Sequence, residues 1–204
     1  MFIQIIQGRI SDAAEVKDAL DRWVRELAPA ARGWLGSTAG VTGDGTLVAF
    51  ARFESREAAR RNSDRPEQGQ WWIETSKLFT AEVTFHDCAE TDTWLGGGSD
   101  EAGFVQIMQN RVRDFAGLSG FMRQVDDTAI RTYRPEIIGS VMAVHEDGAG
   151  ISEAVYFTSE AEARAGESQE MPSEMQGQWE QMMSFYEESE FTYLDLRTPW
   201  LYSP

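Results

Sequence analysis

Apolar and polar positions alternate from the start of the chain. Phe2-Ile3-Gln4-Ile5-Ile6-Gln7-Gly8-Arg9-Ile10 is rich in β-branched residues and predicts a strand. Ser11 follows as the expected helix N-cap, with Asp12 and Glu15 in the first turn. Val16, Leu20, Trp23, Val24 and Leu27 then recur at the spacing of a single helical stripe, which runs to about Ala28 before Pro29. Trp34–Val41 predicts a strand, Thr42-Gly43-Asp44-Gly45 a hairpin turn, and Thr46–Glu54 its partner strand. A second helical region opens at Ser55-Arg56, is interrupted at Pro66 and resumes through Trp71 to Leu78. Phe79–Asp87 predicts a closing strand, so the order is β-α-β-β-α-β.

The pattern then repeats. Phe104-Val105-Gln106-Ile107-Met108-Gln109-Asn110-Arg111-Val112 matches the opening strand at Phe, both Gln and Arg, at a constant offset of 102. Asp114 caps a helix whose stripe is Leu118, Phe121, Met122 and Val125. Strands are predicted over Glu136–Val144 and Ile151–Thr158, and Ser159-Glu160-Ala161 echoes the earlier helix start. Gln176-Gly177-Gln178-Trp179 repeats Gln68-Gly69-Gln70-Trp71, Thr192-Tyr193 matches Thr84-Phe85, and Trp94-Leu95 is echoed by Trp200-Leu201. The chain divides into a first repeat over 1–88, an acidic, Gly-rich linker over 89–102 and a second repeat over 103–204.

One such unit makes a four-stranded antiparallel sheet with both helices on one face, leaving the other face bare. Apolar residues on that face require a cover. The expected fold class is therefore α+β: two ferredoxin-like β-α-β-β-α-β repeats packed face to face as an intrachain barrel. Side chains alternate along each strand. Ile3 and Ile5, with Val105 and Ile107, form a purely aliphatic set that suits the helix layer. Gln4, Gln106, Met108 and Asn110 belong to the mixed set, which suits a ligand-sized cavity on the other side.

Composition narrows the function. With 42% hydrophobic residues, including 7 Trp and 11 Phe, a sizeable core is available. The formal charge of −16 disfavours nucleic acid and anionic membranes as partners. Cys88 is the single cysteine, so no internal disulfide forms and a cytoplasmic location is expected. Neither a signal peptide nor a run of ~20 apolar residues is evident. His86 and His145 lie far apart, and no metal site is expected. The chain carries no G-x-S-x-G, P-loop or G-x-G-x-x-G signature.

In element order and in the need to cover two bare sheet faces, over about 195 residues, the chain resembles the dimeric α+β barrel superfamily. That group includes antibiotic-biosynthesis monooxygenases and haem-degrading monooxygenases. Asn110-Arg111 stands where haem-degrading members carry an Asn-Arg pair, and Trp71 and Trp179 stand for their second-helix Trp. The iron-binding His is missing: Ala81 and Ser189 lie ten residues past the two tryptophans. The resemblance therefore implies a protein without cofactor, closer to the monooxygenases that oxidise polycyclic aromatic substrates, and acting on or binding a small aromatic or hydrophobic molecule. It also implies that the Trp94-Leu95 and Trp200-Leu201 arms cross onto the opposite half. The candidate catalytic residues are His86, Asn110 and Tyr193. The candidate ligand-binding residues are Gln4, Gln106, Met108, Trp71, Trp179 and Arg111. Each has a plainer alternative: core packing for the tryptophans, turn capping for Asn110, a solvated edge for His86, and pairing with local carboxylates for Arg9 and Arg111. A non-catalytic binding module and a purely structural barrel are the competing readings, as a monomer or a homodimer. Gly8 opposite Asn110 and His86 opposite Leu194 mark divergence between the copies, so at most one half is expected to be active.

Overall fold

The computed structural model describes residues 1–187 and 191–204, so Ser189 lies outside the described residues. Its elements run β1 (Phe2–Arg9), α1 (Ala13–Glu26), β2 (Trp34–Val41), β3 (Thr46–Phe53), α2 (Arg56–Ser63), α3 (Pro66–Thr75), β4 (Thr84–Cys88) and β5 (Thr91–Trp94). They continue with β6 (Phe104–Arg111), α4 (Phe115–Met122), α5 (Asp127–Tyr133), β7 (Ile137–Val144), β8 (Gly150–Phe157), α6 (Glu160–Glu167), α7 (Ser173–Met183), β9 (Thr192–Leu196) and β10 (Trp200–Tyr202). Two compact units result: residues 1–91 with 196–204, and residues 92–195. The fold class is α+β, with two antiparallel five-stranded sheets in the orders β10-β2-β3-β1-β4 and β5-β7-β8-β6-β9.

The arms are exchanged between the repeats. β5 follows the first repeat in the chain but joins β7 in the second sheet. β10 ends the second repeat but pairs with β2 in the first, with Trp200 opposite Ala39. Registers match between the copies. Ile6 pairs with Ala49, and Met108 with Glu153. Both sheets carry a bulge at the start of the equivalent strand, between Trp34 and Gly36 and between Ile137 and Gly139.

Helix caps explain the helix starts. Asp12, rather than the expected Ser11, is the N-cap of α1, because its carboxylate accepts from both Ala14 N and Glu15 N. Asp114 caps α4 through Gly117 N, and Asp126 caps α5 through Thr128 N. The helix expected from the Asp114 cap through Val125 stops early: α4 contains Gly117 and Gly120, poor helix formers, and ends at Met122, with α5 following at Asp127.

The two strand faces are the reverse of the sequence expectation. Phe2 packs with Trp23 of α1 and Trp71 of α3, and Ile6 packs with Val16 and Leu20 of α1, so the mixed set lies under the helices. Phe104 and Met108 likewise pack with Ala163 of α6. Ile3, Ile5, Val105 and Ile107 face away from the helices and expose no surface. The glutamines fit beneath helices because each has a carboxylate beside it. Gln4 donates to Asp87 at 2.9 Å, and Gln106 donates to Asp195 at 3.0 Å. A polar side chain so paired escapes the cost of burial.

No helix among the described residues is long and apolar enough to cross a membrane.

Candidate functional site

The helix-facing sides of the two sheets carry one shared polar device and then diverge. In each unit a Gln of the first strand meets an Asp of the last strand. An Arg of the helix after the third strand of the repeat, from its first turn in one unit and its last turn in the other, lies over the first-strand Phe. In the first unit these are Gln4, Asp87, Arg56 and Phe2, with Arg56 3.9 Å from Asp87 and 5.9 Å above the ring. In the second unit they are Gln106, Asp195, Arg164 and Phe104, with Arg164 bonded directly to Asp195 and 5.2 Å above the ring.

The first unit fills the space beside this device with tryptophan. Trp23 packs edge-on against Trp34 at 5.2 Å and against Trp71 at 6.5 Å, and Trp72 continues the cluster. Three of these indoles are satisfied: Trp23 donates to Gln68, Trp34 to Ser37 and Trp71 to the Ala19 carbonyl. Beside them lies a groove lined largely by charged residues of α1 and the end of α3, among them Glu15, Asp18, Arg22 and Glu74.

In the second unit the same space is a cavity of about 730 Å³. Two replacements open it, and a third puts a carboxyl into it. Val125 stands for Trp23, and it lies beyond the end of the shortened α4. Ile137 takes the pairing position of Trp34, opposite the terminal Phe of the next strand. Glu153 stands where Ala49 stands in the first unit. The floor of the cavity is the sheet, with Gln106, Met108, Ser140, Glu153 and Val155. Its roof is helical, with Met175, Trp179 and Met182 at the spacing of one face of α7. Trp94 and Leu95 of the exchanged arm close one side, and Tyr186 and Tyr193 another. Methionines are flexible and polarizable, and a wall rich in them adapts to irregular apolar guests.

Glu153 is the chemically distinctive group of this cavity. It sits in the central strand β8, every residue of which is buried. The Ser140 hydroxyl donates to its carboxylate, the only hydrogen bond it receives among the described residues. Burial pushes the Glu153 carboxyl up to about 7, opposed by the Ser140 hydrogen bond. Burial, with Glu153 nearby, also raises the Tyr186 hydroxyl well above the ordinary tyrosine range. A carboxyl that changes charge near neutrality, in an apolar chamber, is suited to exchange a proton with a bound molecule.

Of the residues singled out from sequence, Gln106, Met108, Trp179 and Tyr193 come together on the cavity wall. Gln4 and Trp71 occupy the equivalent places in the first unit, where Trp71 is core. His86 pairs across from Ile5, on the side of its sheet turned away from the helices. Asn110 lies at the end of β6, outside the cavity lining, where its side chain accepts from the Arg111 N–H at 2.6 Å. Arg111 pairs with Asp147 at 3.1 Å and Glu187 at 3.0 Å. Sequence reasoning missed Glu153 and Trp94. The signal for Glu153 was present: it is the sole charged residue in the strand Gly150–Phe157, at a position where the other repeat has Ala49. The cavity lining includes neither His nor Cys, so it offers no imidazole or thiolate to a haem iron.

No protein-family model matches the sequence, and no curated protein matches it. Solved structures do. A protein of Lactobacillus acidophilus named as a proposed monooxygenase aligns over 99% of this chain and 95% of its own, at 14% identity and a TM-score of 0.72. A second protein with that designation, from Fusobacterium nucleatum, covers 99% of this chain and 94% of its own, at 8% identity and a TM-score of 0.70. A protein described as anthrone oxidase-like covers 98% and 92%, at 14% identity and a TM-score of 0.62. The fold is the one these neighbours share, with the ferredoxin-like unit present twice in one chain.

Proposed function

We propose that the second unit binds a small, largely apolar aromatic molecule between its sheet and its helices. There it acts as a cofactor-independent monooxygenase, with Glu153 as the proton acceptor. The observation that carries this reading is Glu153 itself: a carboxyl buried in an apolar chamber, bonded only to Ser140 and titrating near neutrality. The names of the structural neighbours agree with it.

The chemistry asked of the protein is modest. A phenol or enol in the cavity gives its proton to Glu153, and the resulting anion is electron-rich enough to react with dioxygen. Oxygen bonds to the activated ring carbon as a peroxide. Loss of water then leaves a carbonyl where a CH₂ stood, with one oxygen atom in the product and one in water. The C–H electrons of the substrate are the reductant, so no other donor is consumed. The protein supplies an apolar pocket, orientation and a placed base, and general base catalysis of this kind contributes roughly 10²- to 10⁴-fold.

Oxygen uptake with 1,8-dihydroxyanthrone tests the proposal. The wild type should consume one dioxygen per anthraquinone formed, and Glu153→Gln should lose at least about a hundredfold of the rate while still binding the anthrone. Binding without oxygen uptake would reduce the site to a ligand-binding module. Uptake unchanged in Glu153→Gln would remove Glu153 from the mechanism.

A further inference from the structure

Glu153 can carry a charge for which the protein provides no counter-ion. The Ser140 hydroxyl bonds its Oε1. Its Oε2 receives no hydrogen bond among the described residues. Nor is Oε2 sealed off. The two partnerless polar atoms closed away from open space are Thr75 Oγ1 and Trp94 Nε1, whereas Glu153 lines the cavity of the second unit. Oε2 therefore opens into that chamber, on a residue only 8% exposed. A carboxylate so deep normally meets a cation or several donors, because an isolated buried charge is costly.

The guanidiniums of the wall are already used. Arg164 of α6 pairs with Asp195 of β9 and with Glu160 and Glu167 of its own helix, and Arg134, just past α5, pairs with Glu136. The lining also holds four carboxylates, on Asp127, Glu153, Glu167 and Asp195. Two of them, Asp127 at the start of α5 and Glu153 on the floor, pair with no cation among the described residues. Tyr186 is held above the ordinary tyrosine range by burial and so stays neutral beside Glu153. The chamber thus has negative charge to spare.

Much of the remaining wall is aromatic. Tyr186 packs edge-on with Phe191 at 4.9 Å, and Phe191 lies 6.2 Å from Tyr193. All three line the chamber, and Trp179 lines it from α7. Aromatic faces attract cations, and a charge spread over a flat ring sheds its water most readily. A primary ammonium is a poor fit, because it brings three N–H donors and Glu153 offers one open oxygen. The net charge of −16 concentrates cations around the chain. In the first unit the equivalent position is Ala49, and tryptophans fill the space.

We propose that the cavity of the second unit is a binding site for lipophilic aromatic cations of the N-alkylpyridinium class, with Glu153 as their counter-ion. This rests on the reading of the cavity as the ligand site and goes beyond the oxygenation chemistry. Binding ionises Glu153, and its proton leaves for solvent. The bound cation then occupies the carboxylate that a phenol needs, so it inhibits oxygen uptake.

The test uses the full chain and two probes of one shape. 1-Methylquinolinium carries a charged ring nitrogen, and 1-methylnaphthalene has carbon in its place. The ionised fraction of a carboxyl titrating at about 7 rises about tenfold between pH 6 and pH 8. By equilibrium dialysis the quinolinium should therefore bind about tenfold tighter at pH 8 than at pH 6, and the naphthalene should change less than about twofold. Glu153→Gln should weaken the quinolinium at least about tenfold at pH 8, remove its pH dependence and leave the naphthalene within about threefold. Calorimetry at pH 6 in two buffers of different ionisation enthalpy should show about one proton released per quinolinium bound by the wild type and none by Glu153→Gln. Quinolinium affinity that ignores pH or survives Glu153→Gln, or binding of the naphthalene alone, would overturn the cation site and leave the cavity reading standing. If the wild type binds neither probe, the cavity reading itself falls, and this inference with it.

Discussion

Glu153 and Ala49 hold the same position in the two copies of the sheet, opposite Met108 and Ile6 respectively. One copy uses that position to close its core, and the other uses it to place an acid. The tryptophan cluster of the first unit and the cavity around Glu153 in the second are two outcomes of one duplicated frame, and that frame still carries its paired Gln, Asp and Arg in both places.

The acid makes stability depend on pH. The Glu153 carboxyl stands at about 7 in the folded chain, against an ordinary 4.5 when unfolded. Between these values the folded state holds the proton that the unfolded state has released. The stabilising contribution is therefore complete below about pH 4.5 and is lost as pH rises through about 7. Glu153→Gln removes this dependence. In urea melts it should match the wild type at about pH 4 and exceed it at pH 8, by on the order of 3 kcal/mol for a shift of this size. Parallel pH profiles of the two proteins would contradict the assignment.

The same titration governs turnover. A base must be ionised to accept a proton, so kcat/KM with 1,8-dihydroxyanthrone should rise with pH and level off above about 7. A rate falling across that range would mean that Glu153 works as an acid instead.

Tryptophans that look alike in sequence should behave differently. Trp23→Ala removes a buried, hydrogen-bonded indole from the first unit and should cost about 3–5 kcal/mol in chemical denaturation. Trp179 is 46% exposed at the cavity wall. Trp179→Ala should cost less than about 1 kcal/mol of stability. It should nevertheless weaken 1-naphthol binding in equilibrium dialysis.

Two glycines separate the arm from the roof. Gly139→Ala drives a methyl into the Gly97 carbonyl, a contact of 1.8 Å before relaxation, and should cost at least about 2 kcal/mol while displacing Trp94. Gly177 lies within α7 with open space around its Cα. Gly177→Ala should stabilise the chain by about 0.5–1 kcal/mol and leave 1-naphthol affinity unchanged. Paired melts and titrations check both.

The sequence was informative where local chemistry decided the outcome. Trp34–Val41 has the boundaries its pattern predicts, the arms exchange as the resemblance implied, and the repeat order is visible from matched words such as Gln68–Trp71 and Gln176–Trp179. It was silent where two faces compete. Alternation separates Gln4 and Gln106 from Ile3 and Ile107, but it does not say which face the helices cover, because both faces are buried. The glutamines looked like ligand contacts for that reason, and the carboxylates that satisfy them, Asp87 and Asp195, lie far along the chain. The cavity was hidden for a related reason. It arises from what is absent from the second unit, a long first helix and the bulk of Trp23 and Trp34, and subtraction leaves no motif.

The account stands on one ligand chamber per chain, in the unit that carries Glu153. Calorimetric titration of the full chain with 1-naphthol measures this directly, run beside Val155→Trp, which fills the chamber from its floor. The predicted result is a stoichiometry of one in the wild type and no saturable binding in Val155→Trp. A stoichiometry of two, no binding by the wild type, or binding that survives Val155→Trp would contradict it.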